Sequence, residues 1–484
     1  MSSRPRALAP LVALFTAGYV APYLLPTVVG RLSAGLGLTP AQAGLVGSVL
    51  LLASASAGFT LAARVERLGP RRVARIGLLA MCAGYGTAAL TAAVPLVVGG
   101  AVVGGFGSGT ATAVAATGIA AQRDPHRAST LGLLSVSAAA GALYLTLPHL
   151  GGGHALPFAA IALTAALVWP LTAGLPDGRG GHRAGSTIHR GRIGRIGRAA
   201  AASAARTSDA GSSSAARTPD IGASSLPDGP AAGSSPMPHR RSGIVLAAAI
   251  LLWSMAQNAL WGVSGRIGLT QAGLTEVTVG AVFAAALGAG LLGVTAAGAL
   301  GARLGRAVPI GAGTAVIACC VLLSSAAGSL PAFATGEILW NLCYPVVLSY
   351  LLGLAASLDP RGRWAVLVGS ASSLGVACGP VVGSVLSEAA GYPGMGLVLC
   401  AVLLVLAVPM TAVALHTSGR PLVPGSVRRR GGAPAAVVAG TTTASTGLLP
   451  QMGAPEQQVT EVPVPANPRV AQRSFRLARP NDRG

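Results

Sequence analysis

Lysine is missing from this chain altogether: all 34 basic residues among its 484 are arginine. A phosphate-cradling loop of the G-x-x-x-x-G-K-[ST] kind is therefore impossible, and with it any activity driven by a nucleotide held there. Charge of either sign is scarce. Only 10% of residues are charged, 52% are hydrophobic and the mean hydropathy is +0.64. That leaves far too little polar surface to cover a soluble globule of this length. The six cysteines (Cys82, Cys319, Cys320, Cys343, Cys378, Cys400) lie in apolar stretches without metal-ligand spacing, so they read as small core residues and no metal or other cofactor is expected. No His-rich, paired-acid or Ser/Lys cluster occurs in the apolar stretches, and His149 and His154 fall in a connection. An intramembrane enzyme is thereby excluded. The formal charge of +21 raises nucleic acid as a partner. The arginines, however, sit in connections, a linker and a tail, where topology accounts for them, and no nucleic acid is expected.

What the chain has in abundance is long apolar runs. Twelve stretches, 7–30, 41–63, 73–93, 96–121, 129–148, 155–175, 243–265, 276–300, 307–328, 331–356, 364–387 and 393–416, match the roughly 20 residues a helix needs to cross a hydrocarbon core about 30 Å thick. The first is too long for the apolar region of a signal peptide and no small-residue cleavage site closes it, which predicts an uncleaved span. The connections after spans two, four, eight and ten carry Arg64, Arg67, Arg71, Arg72, Arg75, Arg123, Arg127, Arg303, Arg306, Arg361 and Arg363, against only Arg31 and Arg266 on the alternate side. By the positive-inside rule both termini are expected in the cytosol.

The two halves repeat each other. Gly30-Arg31-Leu32 recurs as Gly265-Arg266-Ile267, Gly37-Leu38-Thr39 as Gly273-Leu274-Thr275, Arg67-Leu68-Gly69 as Arg303-Leu304-Gly305, Pro95 as Pro331, and Asp124-Pro125 as Asp359-Pro360. The offset stays near 236 residues throughout, the mark of a transport protein built from structural repeats with its site between them. The expected architecture is all-α and integral to the membrane: twelve transmembrane helices in two pseudo-symmetric six-helix bundles, 1–175 and 243–416. Residues 176–242, rich in Gly, Ser, Ala and Pro, read as a disordered basic cytosolic linker, and 417–484 as a disordered cytosolic tail. The linker stretch HRGRIGRIGRAA suits either solvent or an anionic lipid surface.

The connection after span two reads AARVERLGPRR and that after span eight GALGARLGRAV. Both resemble the signature loop of the major facilitator superfamily, roughly G-x-L-x-D-R-x-G-R-R. By position Glu66 stands at the acidic place, Arg67 and Gly69 match, and Arg71 and Arg72 follow; in the second copy Gly298, Leu300, Arg303, Gly305 and Arg306 match. Ala62, Pro70 and Ala302 depart from the pattern. The resemblance implies a gating loop, in which a carboxylate beside arginines latches one of two rocking states; simple anchoring of topology is the competing role. In span four the family often carries an arginine before its glycine run, linked to proton coupling, but that place here is Ala101, ahead of Gly105, Gly107 and Gly109. By the repeat offset it corresponds to Glu337. Gly375, Gly379, Pro380 and Gly383 in span eleven resemble the G-x-x-x-G-P-x-x-G pattern that drug antiporters carry in span five, where this chain lacks the proline.

Of thirteen acids Glu337 alone lies well inside a span, about 10 Å below the outer face at 1.5 Å per residue. An ionisable group in hydrocarbon costs several kcal/mol unless it faces a cavity, is partnered or is neutralised, so it is the candidate proton-coupling residue. A protonated acid hydrogen-bonded between helices is the alternative. Polar and aromatic residues gather at comparable depth: Phe15, Tyr19 and Tyr23 on span one; Trp253, Gln257, Asn258 and Trp261 on span seven; Trp340, Asn341 and Tyr344 beside Glu337 on span ten. Their three- and four-residue spacing puts each set on one helical face. Spans one, four, seven and ten line the central cavity in the family the chain resembles, which implies substrate binding by these residues; helix packing or an interfacial aromatic belt would also account for them. Arg31 and Arg266, symmetric exceptions to the positive-inside rule, suit either attraction of an anion or snorkelling at a helix end. The expected protein is a monomeric, multi-pass secondary transporter of the plasma membrane, not an enzyme, with a small-molecule substrate, protons and membrane lipid as partners. An uncoupled facilitator and a non-transporting scaffold or receptor are the alternatives.

Overall fold

A computed structural model describes residues 8–61, 64–122, 124–151, 153–176, 238–300, 304–359, 362–418, 437–439 and 459–461. Span one is a bent pair, Leu8–Tyr23 and Leu25–Leu36. Spans two to six are Pro40–Leu61, Pro70–Leu90, Val94–Ala120, Pro125–Thr146 and Ala155–Val168, and spans seven to ten are Arg240–Arg266, Glu276–Leu300, Ala307–Ser325 and Leu330–Ser357. A last helix, Arg363–Ser418, has 56 residues and a non-helical Gly391 inside it. At 1.5 Å per residue it would run roughly 84 Å, far beyond one bilayer crossing, so spans eleven and twelve meet at that break. Ten helices among the described residues are apolar and long enough to cross a membrane, eleven with the bent pair. Dividing the last one is consistent with the twelve expected.

Proline starts many of these helices. Pro40, Pro70, Pro95, Pro125 and Pro331 sit in first turns, where the missing N–H has no intrahelical partner to lose. Asp124 caps span five by accepting from the Arg127 amide at 3.0 Å. Large apolar side chains point outward, among them Leu90, Leu163, Leu167, Leu292, Val405 and Val408. Water would not tolerate that surface; lipid does.

The sequence repeat is also a repeat of backbone conformation. Gly37 and Gly273 both take φ 63°, and Gly69 and Gly305 take 89° and 67°. These left-handed turns close equivalent connections, and a β-carbon would be strained at each.

Span one bends by 47° between its two segments. Pro22 and Pro26 together remove two ladder donors, which frees the carbonyls one turn earlier. One of them, Pro22 O, accepts a hydrogen bond from Trp261 Nε1 of the other half at 3.3 Å.

Span seven begins at Arg240 rather than 243, because Pro238 O accepts from Trp364 Nε1 at 2.7 Å and Gly243 packs beneath that indole. Most of the expected linker, 177–237, lies outside the described residues, as does most of the tail. Within the tail, β1 (Val437–Ala439) and β2 (Val459–Glu461) pair antiparallel, Val437 opposite Glu461; Val437, Val438, Val459 and Thr460 are β-branched and favour extended backbone.

Candidate functional site

Span seven is held by three glycines of span eleven. A β-carbon at Gly375, Gly379 or Gly383 would collide with the backbone of Leu251, Asn258 or Ala259. The glycine and proline pattern seen in the sequence is therefore a close-packing seam, and Ser254 and Ser372 hydrogen-bond across it at 2.7 Å. The seam fixes the helix that carries Trp253, Gln257, Asn258, Trp261 and Ser264.

Facing it on span ten, Glu337 is fully buried. Its Oε1 accepts from Ser324 Oγ at 2.6 Å and from Ser264 Oγ at 2.8 Å, while Oε2 has no partner among the described residues. Ser264 has one hydroxyl proton and a second acceptor in reach, Leu260 O at 3.0 Å. With both serines donating, Oε1 of the anion is served twice while Oε2 is left open; with Ser264 turned to Leu260, a protonated Glu337 can itself donate to the Ser264 oxygen. The same three side chains suit either protonation state.

Aromatic rings from the same two helices form a chain beside this carboxyl's helix. Trp253 stacks on Tyr344 at 5.2 Å and 10°, Tyr344 meets Trp340 at 6.0 Å, Trp340 meets Trp261 at 5.7 Å, and Trp261 meets Phe283 at 5.2 Å. Phe283 in turn contacts Phe333 at 6.2 Å and Tyr144 of the first half at 5.0 Å. Trp340 Nε1 donates to Gln257 Oε1, which leaves Gln257 Nε2 and Trp253 Nε1 as buried donors without partners among the described residues.

The structure thus unites Trp253, Gln257, Glu337, Trp340 and Tyr344 of the expected set. Asn341 sits on the same helix and bonds back to Glu337 O at 3.0 Å. Asn258 turns toward span eleven: its Nδ2 donates to Ser254 O at 2.9 Å, and its Oδ1 is unpartnered among the described residues. On span one Tyr19 packs on Phe15 at 4.5 Å, and Tyr23 O accepts from Tyr144 Oη at 2.5 Å. Sequence reasoning missed Ser264 and Ser324, since serine in an apolar helix is unremarkable until its partner is known. It also missed Phe283, Phe333 and Tyr144. Phe333, one turn before Glu337, could have been found by the spacing that found Asn341.

At the far end from the chain termini the halves close on each other. Arg31 Nη2 pairs with Glu276 Oε2 at 2.8 Å and caps Leu147 O at 3.2 Å, while its Nη1 donates to Gly151 O at 2.9 Å. Glu388 Oε2 accepts from the Ala41 amide at 3.1 Å, and the Val381 amide donates to Ser48 Oγ at 2.9 Å. Neither exceptional arginine snorkels: both are buried, and Arg266 donates to Ser384 Oγ at 3.0 Å. At the opposite end, Gly69 ends the one-turn helix Val65–Leu68 and its carbonyl accepts from Arg72 and Val73. Arg67 and Arg72 are exposed there, and Arg71 and Arg306 half-buried. The Glu66 side chain, Arg303, Arg123 and Arg361 lie outside the described residues.

A two-bundle membrane-spanning helical protein with a buried polar and aromatic site in its interior belongs to the membrane transporters. A family profile places it further: the Major Facilitator Superfamily profile matches residues 8–363, and the chain belongs to that family. No curated protein is similar enough in sequence to count as a match. Among solved structures it resembles the human organic anion transporter MFSD10 (TETRAN), at 17% identity and TM-score 0.53 over 85% of this chain and all of that one. It also resembles a POT family transporter in complex with a thioalcohol-conjugated peptide (13%, TM-score 0.61) and one in complex with 5-aminolevulinic acid (13%, 0.59), each over 85% of this chain and 97% of the other. At these identities the likeness is one of fold.

Proposed function

We propose that this transporter is a proton-coupled secondary transporter of the plasma membrane, a monomer with both termini in the cytosol, which moves a small solute by alternating access. Glu337 is its coupling residue. The observation that carries this is a buried carboxyl whose two serine partners accommodate both protonation states while one oxygen stays free for a solute or a proton. With the arginine-rich end in the cytosol, the joined end is extracellular and the conformation is inward-facing. Trp253, Gln257, Asn258, Trp340, Asn341 and Tyr344, with Tyr19 and Tyr23 from the first half, form the substrate site. The loops of Glu66, Arg67, Gly69, Arg71 and Arg72 and of Arg303, Gly305 and Arg306 act as cytosolic gates, and lipid surrounds the spans. Ala101, at the place where the family often has arginine, favours a second reading, a facilitator without ion coupling.

One experiment separates the two. Glu337→Gln mimics the neutral carboxyl, so in vesicles it is expected to lose accumulation driven by a proton gradient yet still bind and exchange solute at saturating concentration. Full gradient-driven accumulation by that variant leaves the facilitator as the better reading.

A further inference from the structure

The site's charge and ring content define what it can hold. Glu337 is the only acid well inside a span, and every arginine of the described spans lies near a span end: Arg31 and Arg266 at the joined end, Arg71, Arg72, Arg75, Arg127, Arg240, Arg241 and Arg363 at the other. An anion reaching Glu337 would meet repulsion and no compensating cation. On the helices that carry Glu337 and its partner Ser264, and on span eight, Trp253, Trp261, Trp340, Tyr344, Phe283 and Phe333 form one continuous ring-to-ring cluster. Seven of the 19 aromatic residues of the chain belong to it when Tyr144 is included, so the concentration is not a by-product of composition. Ring faces attract cations, most strongly where water is excluded. Two polar atoms complete the pattern: the Trp253 indole and the Gln257 amide, one helical turn apart, are buried donors without partners among the described residues. They suit a carbonyl, ether or hydroxyl oxygen on the solute.

We infer that the solute is a lipophilic organic cation, an amine or quaternary centre carried on an aromatic or bulky apolar body. It docks its charge at Glu337 Oε2 and the ring faces, and its acceptor oxygen, where it has one, at Trp253 and Gln257. The inference rests on the reading of Glu337 as the coupling site and adds the consequence that cation and proton compete for one carboxylate, which makes the transport an exchange.

Tetraphenylphosphonium and tetraphenylborate test it, because the two ions share size and shape and differ in the sign of charge. Three of the chain's five tryptophans lie in the cluster, so their fluorescence in the purified full-length protein reports binding. Phosphonium is expected to quench it saturably and to bind more weakly as pH falls, with borate at least about tenfold weaker. Glu337→Gln is expected to weaken phosphonium about tenfold without abolishing it, and Tyr344→Leu, at unchanged melting temperature, to weaken it comparably. Equal binding of both ions, preference for borate, or only unsaturable quenching overturns the inference. If Tyr344→Leu does not fold, the ratio of the two ions on the wild-type protein decides alone. The vesicle experiment on Glu337→Gln reads coupling independently: borate preference with drive lost in that variant removes the substrate class and keeps the coupling site, whereas retained drive removes the coupling site whichever ion binds.

Discussion

At the residue scale few hydrogen-bond donors serve Glu337, the residue proposed to couple transport to protons. Ser324 Oγ lies 2.6 Å and Ser264 Oγ 2.8 Å from the same carboxylate oxygen, and a hydrogen bond to a charged group is worth about 1.5–3 kcal/mol. Ser324 has no second acceptor among the described hydrogen bonds, whereas Ser264 also reaches Leu260 O. Ser324→Ala therefore removes a donor that serves the ionised form, and the ionised step of the cycle becomes scarce. Initial rates of proton-driven uptake should fall about tenfold, with Ser324→Thr close to wild type because it keeps the hydroxyl. Equal rates in the alanine and threonine variants would mean that the hydroxyl only fills space. Sequence reading found the carboxyl and not the serines, since a hydroxyl in an apolar helix becomes legible only when the helix facing it is known.

At the scale of elements, the join between the halves at the end far from the chain termini, outer in the proposed orientation, rests on three helix ends. Pro26 withholds the amide that would satisfy Pro22 O, and the Trp261 indole from the other half takes its place. Arg31 spans from the carbonyl end of span five to Glu276 at the start of span eight, and Glu388 accepts from the first turn of span two, where a negative charge also complements the helix dipole. Glu276 is half exposed and Arg31 nearly buried, so the pair is screened on one side and contributes about 1 kcal/mol or less. Even that shifts a two-state equilibrium several-fold. Glu276→Ala should raise the outward-open population by about that factor, read as a longer distance between spin labels at the outer ends of spans two and eleven in a cysteine-free background. An unchanged distance distribution would exclude the pair from gating.

At the scale of the whole molecule, two bundles meet around a site whose rings come almost entirely from the second: Trp253, Trp261, Phe283, Phe333, Trp340 and Tyr344, with Tyr144 alone from the first. The ring cluster is lopsided while the backbone repeat is symmetric. Among the described residues, no ring contact or side-chain hydrogen bond of this site comes from the linker or the tail. A chain lacking 180–236 and 420–484 is therefore expected to transport at rates within about twofold of the full chain, measured in vesicles at matched protein content. Loss of transport only on that deletion would assign those segments a part in transport, whereas absence of transport by the full chain would favour the scaffold or receptor alternative.

The sequence by itself determined the solvent, the spans and the repeat. Apolar runs of membrane length and arginine kept to connections and span ends follow from the bilayer's dielectric alone, and the paired Gly37 and Gly273 announce equivalent turns because few other residues tolerate that backbone. It also singled out Glu337, since a charge amid apolar residues is visible without coordinates. Tertiary structure decided which residues share its neighbourhood. Helical spacing assigns a face to each residue but not the helix it meets, so Ser264 and Ser324 at the carboxyl, Asn258 turned toward span eleven, and the pairing of Arg31 with Glu276, 245 residues away, depended on how the two bundles pack. The join at Gly391 and the bend at Pro22 and Pro26 mark the same boundary: the sequence shows where a helix can break, and the packing around the break sets its direction.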